Sequence, residues 1–252
     1  DVYKRQLAIK ATGALPVKSK AKNWGHDLEL MSDLTDDKTK VIFIASPNNP
    51  TGTAKTLLEI KDFLNNLPDD ILVFLDQAYY EYIEGSEFDI PFSLIDDHPN
   101  LVISRSFSKA HGLAALRLGF CVSNPELSDY LNRVRQPFNA NSLALDLGKV
   151  ALSDQEHISK SVKINSSGMD RVKKAFTNLD YDFIESWGNF ISFDAKQDSD
   201  VAFQYFLEKG VILRSLKVYE MPQHLRVSIG TEEEMDFFLQ VLEDYEKDLS
   251  KK

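Results

Sequence analysis

The 252-residue chain is poor in the features that would place it outside ordinary globular proteins. A single cysteine, Cys121, excludes an internal disulfide and fits a reducing compartment. No apolar run approaches the roughly 18 residues a membrane span needs. Basic residues are outnumbered, 29 against 39 acidic, and the resulting charge of −10 is spread along the chain, which argues against nucleic acid as a partner because phosphate binding needs a basic face. The five histidines, His26, His98, His111, His157 and His224, have no ligand spacing, so no metal is expected. Internal repeats and low-complexity tracts are absent. The start also lacks an initiator Met and a signal-like apolar region: Asp1 to Gln6 is polar, and the expectation is that the chain begins inside a larger protein.

What is present is an ordinary core-forming composition, 43% hydrophobic, in a length that suits one large or two modest domains. Three short apolar runs each end in reactive polar residues. Val41–Ala45 runs into Ser46-Pro47-Asn48-Asn49-Pro50-Thr51-Gly52, Ile71–Leu75 into Asp76-Gln77-Ala78-Tyr79, and Leu101–Ile103 into Ser106-Phe107-Ser108-Lys109. An apolar stripe over 55–66 between the first two runs predicts strand, helix, strand and hence a right-handed parallel crossover. Ligands of open α/β sheets bind beyond the carboxyl ends of parallel strands, so Asn49, Asp76, Tyr79 and Lys109 are predicted to converge on one small molecule. These residue types suit pyridoxal phosphate.

Further along, Asn124-Pro125 predicts an N-cap with Pro at the first helical position, and Ser153-Asp154-Gln155-Glu156 a capping box opening a long helix to about Asn178. That helix marks the expected boundary between a domain at 1–153 and a smaller one at 154–252. In the second, Phe190–Phe193, Val211–Leu213 and Leu225–Ile229 read as strands, 199–208 and 231–248 as helices, and 214–224 as a loop.

Singly, these signals are weak. Asn49-Pro50-Thr51-Gly52 is a common turn composition, a strand-end aspartate often caps a turn, and a lone lysine is ordinarily a solvated side chain. In combination the sequence resembles the pyridoxal-phosphate aminotransferases of fold type I, nearest the histidinol-phosphate branch. The likeness lies in Ser46–Gly52, Asp76–Tyr79, the block Ser106-Phe107-Ser108-Lys109-Ala110-His111-Gly112-Leu113-Ala114-Ala115-Leu116-Arg117-Leu118-Gly119-Phe120, Arg135–Asn139, Gly188-Asn189-Phe190 and Leu225–Gly230. It covers nearly everything after Leu7.

The resemblance implies an α/β fold: a mostly parallel sheet between helices, truncated at its N-terminus, followed by a small C-terminal α/β domain. It also implies roles. Lys109 is the covalent attachment point of the cofactor and the proton-moving base; Asp76 pairs with the ring nitrogen; Asn49 and Tyr79 hydrogen-bond the phenolic oxygen; Ser106, Ser108 and Arg117 hold the phosphate. Arg226, a charge inside the apolar run Leu225-Arg226-Val227, needs an anionic partner, which in the family is the substrate's carboxylate or phosphate. Arg214 resembles a second such arginine, with an interdomain salt bridge as the competing reading.

Two departures stand out. The family carries Glu where this chain has Gln77, and an N-terminal segment with a phosphate-binding helix start and a ring-stacking aromatic is missing. Arg135 and His111 have no assigned chemistry beyond packing, and Tyr3 none at all. The expected activity is transamination between histidinol phosphate and 2-oxoglutarate in L-histidine biosynthesis, by a cytoplasmic homodimer without nucleic-acid or membrane partners. Aromatic amino acid transamination, threonine-phosphate decarboxylation and a non-catalytic sensory domain of a regulator are the alternatives.

Overall fold

The computed structural model describes residues 2–83 and 85–251; Asp1, where the polar start begins, Glu84 and Lys252 lie outside them. Helix α1 (Val2–Ala11) and helix α2 (Leu28–Asp33) precede the first strand, and the Asp27 side chain caps α2 by accepting from Leu30 N at 3.1 Å. Strand β1 (Val41–Ala45), helix α3 (Leu57–Asn65) and strand β2 (Leu72–Asp76) form the predicted crossover. Helix α3 starts at a capping box in which Thr56 and Glu59 satisfy each other's backbone N–H groups, and it buries Ile60, Phe63 and Leu64. After helix α4 (Leu94–Asp97) come strand β3 (Leu101–Ser106) and strand β4 (Gly119–Val122). The sheet order is β1-β2-β3-β4, parallel except for the β3–β4 pair. Ile44, Val73, Leu75, Leu101 and Ile103 form its core with α3 and α4.

Helix α5 (Pro125–Val134) opens as expected, with Asn124 accepting from Leu127 N at 2.8 Å. Helix α6 (Ser142–Ser153) was not predicted. Its Leu143, Leu145, Leu147, Val150 and Leu152 are all exposed, so no one-sided stripe marks it in the sequence. Because α6 runs through Ser153, the expected capping box does not form and the cap moves on by one residue. Ser153 bonds back to Val150 O, and Asp154 caps helix α7 (Gln155–Asn178) by accepting from His157 N at 3.0 Å.

The second sheet is antiparallel throughout, in the order β5-β6-β8-β7: strand β5 (Phe183–Ile184), strand β6 (Phe190–Asp194), strand β7 (Arg214–Ser215) and strand β8 (His224–Ser228). Helix α8 (Ser199–Glu208), helix α9 (Glu232–Leu249) and the C-terminal half of α7 cover it. Phe176, Phe193, Phe206, Phe238 and Tyr245 are its fully buried large side chains, each worth about 1.5–3 kcal/mol of apolar burial.

The strand expected at Val211–Leu213 is instead the exit from α8. Gly210 takes φ +86°, Val211 N donates to Phe206 O, and Val211 and Leu213 enter the core with Ile212 outside. That alternation mimics a strand without pairing. The expected loop at 214–224 accordingly contains β7 and a 3-10 turn at Lys217–Tyr219.

Helix α7 and the turn after β1 both join the sheets. Helix α7 packs Ile158 and Val162 against a cluster of Tyr79, Tyr82, Ala110 and Phe190, and Met169, Val172 and Phe176 into the second core. The turn after β1 docks on the second sheet: Ser192 Oγ donates to Pro50 O at 2.6 Å and Trp187 N to Gly52 O at 2.9 Å. Gly52 has φ +83°, and a Cβ there would lie 2.1 Å from Ser186 Oγ, so only glycine fits this approach.

Candidate active site

Strand register places the three reactive turns side by side. Ala45 pairs with Asp76 and Asp76 with Ser104, so the chain leaves β1, β2 and β3 at one edge of the sheet. Asp76 is half-buried at the end of β2 and its Oδ1 accepts from Ala78 N at 3.1 Å, which turns the chain toward Tyr79.

Asn49 is the junction of the site. Its Nδ2 donates to Tyr79 Oη at 2.9 Å, and its Oδ1 accepts from Arg226 Nη1 on β8. Tyr79 is buried, its ring edge-on to Phe190 at 5.2 Å, and Lys109 Nζ stands 4.9 Å from the centre of the same ring. Residues far apart in sequence (49, 79, 109 and 226) thus form one constellation.

Ser106, Ser108 and Arg117 form a second group. Ser108 N donates to Ser106 Oγ at 3.0 Å, and Arg117 Nη1 donates to Ala114 O at 2.7 Å and toward Ser108 Oγ at 3.4 Å. Both serine hydroxyls retain a hydrogen to donate. Arg117 adopts φ 53° and ψ 41°, an uncommon left-handed conformation for a non-glycine residue, and its side chain is folded back over the lysine turn.

Arg226 was expected to have an anionic partner; within the described residues it forms no ion pair with a carboxylate. It bonds the neutral Asn49 amide, lies 4.8 Å from the Phe190 ring centre, and its Nε is buried without a partner. Burial pushes its guanidinium below the ordinary value; Tyr79 and Tyr219 oppose this and Arg214 adds to it. An arginine keeps its charge through such a shift, so the strand holds a half-buried cation whose Nε–H is unused. Arg214 is exposed and lies directly across from Arg226 in the β7–β8 register, where like charges repel. No interdomain salt bridge from Arg214 is present among the described residues.

Gln77, next to Asp76, is fully buried; its Oε1 accepts from Arg105 Nε and Nη2, each at 3.4 Å. The guanidinium of Arg105 lies between the rings of Tyr80, 3.3 Å from its centre, and Phe92, at 4.3 Å. Glutamine therefore keeps the hydrogen bonds a glutamate would make without its charge, and leaves its own Nε2 buried and unpartnered.

Sequence reasoning missed Phe190 as the wall shared by Tyr79 and Arg226, and His157, whose Nε2 lies 3.1 Å from Ala110 O. His111 is turned inward against Phe107, ring centres 5.0 Å apart, with its Nε2 3.6 Å from Glu81 Oε1. Among the described residues no group of His, Cys, Asp and Glu could hold a metal ion. The arrangement offers an amine, a strand-end carboxylate, an amide–phenol pair and two sets of anion donors around one sheet edge.

The chain belongs to the aminotransferase class I and II family, whose pattern matches residues 2–242. Within it, the chain is 46% identical over 237 residues to histidinol-phosphate aminotransferase 1 of Nitrosococcus oceani and 47% identical over 236 residues to histidinol-phosphate aminotransferase 2 of Pseudomonas aeruginosa. Each match takes in 94% of this chain, which spans 64% of the length of those relatives. The fold is also that of the histidinol-phosphate aminotransferase of Sinorhizobium meliloti, solved in complex with pyridoxal-5'-phosphate: the TM-score is 0.88 at 24% identity, covering 97% of this chain and 68% of that one.

Proposed function

We propose that the protein to which this chain belongs is a pyridoxal-phosphate-dependent aminotransferase that moves an amino group between histidinol phosphate and 2-oxoglutarate. The observation that carries this reading is the meeting of Lys109, Tyr79, Asn49 and Arg226 beyond the strand ends. Identity near 46% to histidinol-phosphate aminotransferases supports the choice of donor.

The donors and acceptors present fit the cofactor. Asp76 offers a carboxylate to a pyridinium nitrogen, Asn49 and Tyr79 offer hydrogen bonds to a phenolic oxygen, and Ser106, Ser108 and Arg117 offer hydroxyls and a planar fork to a phosphate. Pyridoxal phosphate, when bound, supplies the electron sink that lets a proton leave the amino-bearing carbon. Lys109 is the group that anchors the ring and carries that proton. Tyr79 holds the lysine amine against its ring face and, with Asn49, fixes the phenolic oxygen's hydrogen bonds. Arg226, with Arg214 beside it, receives the anionic end of the donor, which supplies the counter-charge that β8 lacks. The same reading divides the chain into a cofactor domain at 1–153 and a small domain at 154–252, and takes the active form to be a cytoplasmic homodimer.

The test is reconstitution of the full-length protein with pyridoxal phosphate, followed by borohydride reduction and peptide mapping. The expected result is a cofactor adduct on Lys109, absent in Lys109→Ala, together with histidinol-phosphate-dependent formation of glutamate. An adduct that persists in Lys109→Ala, or no amino transfer from histidinol phosphate, would overturn the reading.

A further inference from the structure

The turns that carry Tyr79 and Lys109 are tied together twice, at matching spacing. Lys109 Nζ lies over the Tyr79 ring, and two residues further along each segment His111 Nε2 stands 3.6 Å from Glu81 Oε1. The second tie is deeply placed, with only 7% of the His111 side chain and 11% of the Glu81 side chain exposed. Its remaining polar atoms, Glu81 Oε2 and His111 Nδ1, are buried without partners. Phe107 flanks the imidazole, and Arg105 and Tyr82 are the other titratable groups that act on Glu81.

Such a pair is a poor source of stability. Apart from a backbone hydrogen bond to the Glu81 carboxylate, its desolvation is not offset, and apolar residues of similar volume would ordinarily serve a core better. Its geometry does serve one purpose: it fixes the register between the two turns. The lysine turn is short, closed by Gly112 N to Lys109 O and Leu113 N to Phe107 O, both 2.9 Å, and its far side is held to α7 through His157 at Ala110 O. Ala110 packs against Tyr82 in the cluster between the two segments, and the Glu81–His111 tie adds a directional polar contact that resists sliding of this turn along the Tyr79 segment.

We propose that Glu81 and His111 are positioning residues for Lys109, a paired brace that sets the lysine amine over the Tyr79 ring. This rests on the role proposed above for Lys109. The test uses Glu81→Gln, His111→Gln and the double variant in the full-length protein; near-isosteric changes keep the fold accessible. In the cofactor-free protein, amide exchange at Gly112 and Leu113 is expected to quicken by about tenfold in each single variant, with amides of β1–β3 unchanged. In the loaded protein, formation of the borohydride-stable adduct on Lys109 and kcat are each expected to fall by about tenfold while KM for the amino donor holds, the double variant being no worse than either single one.

Unchanged exchange at Gly112 and Leu113, a uniform rise across the whole sheet, or additive losses in the double variant would each overturn the brace. If the wild type forms no adduct while local exchange responds as expected, the brace stands as a feature of the turns and the role of Lys109 fails.

Discussion

Asp76 ends the central parallel strand, and Asn there would keep its shape while removing the charge proposed to hold a ring proton. Asp76→Asn is expected to retain cofactor and to lose transamination on the order of a hundredfold or more, in the range of other electrostatic catalytic contributions. Single-turnover absorbance measurements check this; near wild-type rates would remove the proposed role. Arg226→Lys keeps the charge on β8 but loses the planar fork, and a rise of about tenfold or more in KM for anionic donors is expected, roughly 1.4 kcal/mol. Arg214→Ala is expected to impair histidinol phosphate more than phenylalanine, and equal losses for both donors would make Arg214 structural. At this scale much was legible: an arginine inside an apolar strand signals an unmet charge, and β8 holds one. The neutral partner Asn49 was not legible, because a contact across 177 residues leaves no local pattern. The same holds for Glu81 with His111, whose pairing depends on two turns meeting in space.

At the scale of elements, the turn Asn49–Gly52 presents Asn49 to the candidate site and also joins the sheets. Gly52→Ala is expected to cost at least about 2 kcal/mol, from left-handed strain and the overlap with Ser186. Urea unfolding would show it, and a change below half that figure would mean the approach relaxes easily. Elements with one buried face were readable from periodicity and caps: β1, α3, β2, α5, α8 and α9 lie where their patterns place them. Helix α6 failed that test because its apolar residues face outward. The Val211–Leu213 run failed for the opposite reason, since a helix exit that buries alternate residues copies the period of a strand.

For the whole molecule, the segment around Trp24 bridges the first unit and the second sheet. Trp24 lies against His224, ring centres 4.9 Å apart, and Thr53 donates to Trp24 O at 3.3 Å. Burial lowers the His224 pKa below 6.5, against the opposing pull of Asp194 and Asp182. A depressed pKa means that the folded state binds the proton less readily than the unfolded one. Its contribution is present above pH 6.5 and is lost as pH falls toward the lowered value. Thermal melts from pH 8 to 5 are therefore expected to show a decline that His224→Gln flattens; parallel curves would assign the decline elsewhere. The exposed apolar residues of α6 are expected to make the 252-residue chain self-associate, and Leu143→Lys with Val150→Lys to reduce this in sedimentation velocity.

Helix α7 gives the molecule a mechanical property. Its 24 residues span about 36 Å, with Phe176 embedded in one core and His157 resting on the carbonyl next to Lys109. It is a lever whose short-range end reads the lysine turn. The 19 residues from Phe176 to His157 span about 28 Å, so a tilt of about one degree at the Phe176 end displaces the His157 end by roughly 0.5 Å, comparable to the tolerance of a hydrogen bond. A shift of the small sheet relative to the first one would thus be felt, through the far end of this helix, at the backbone next to Lys109.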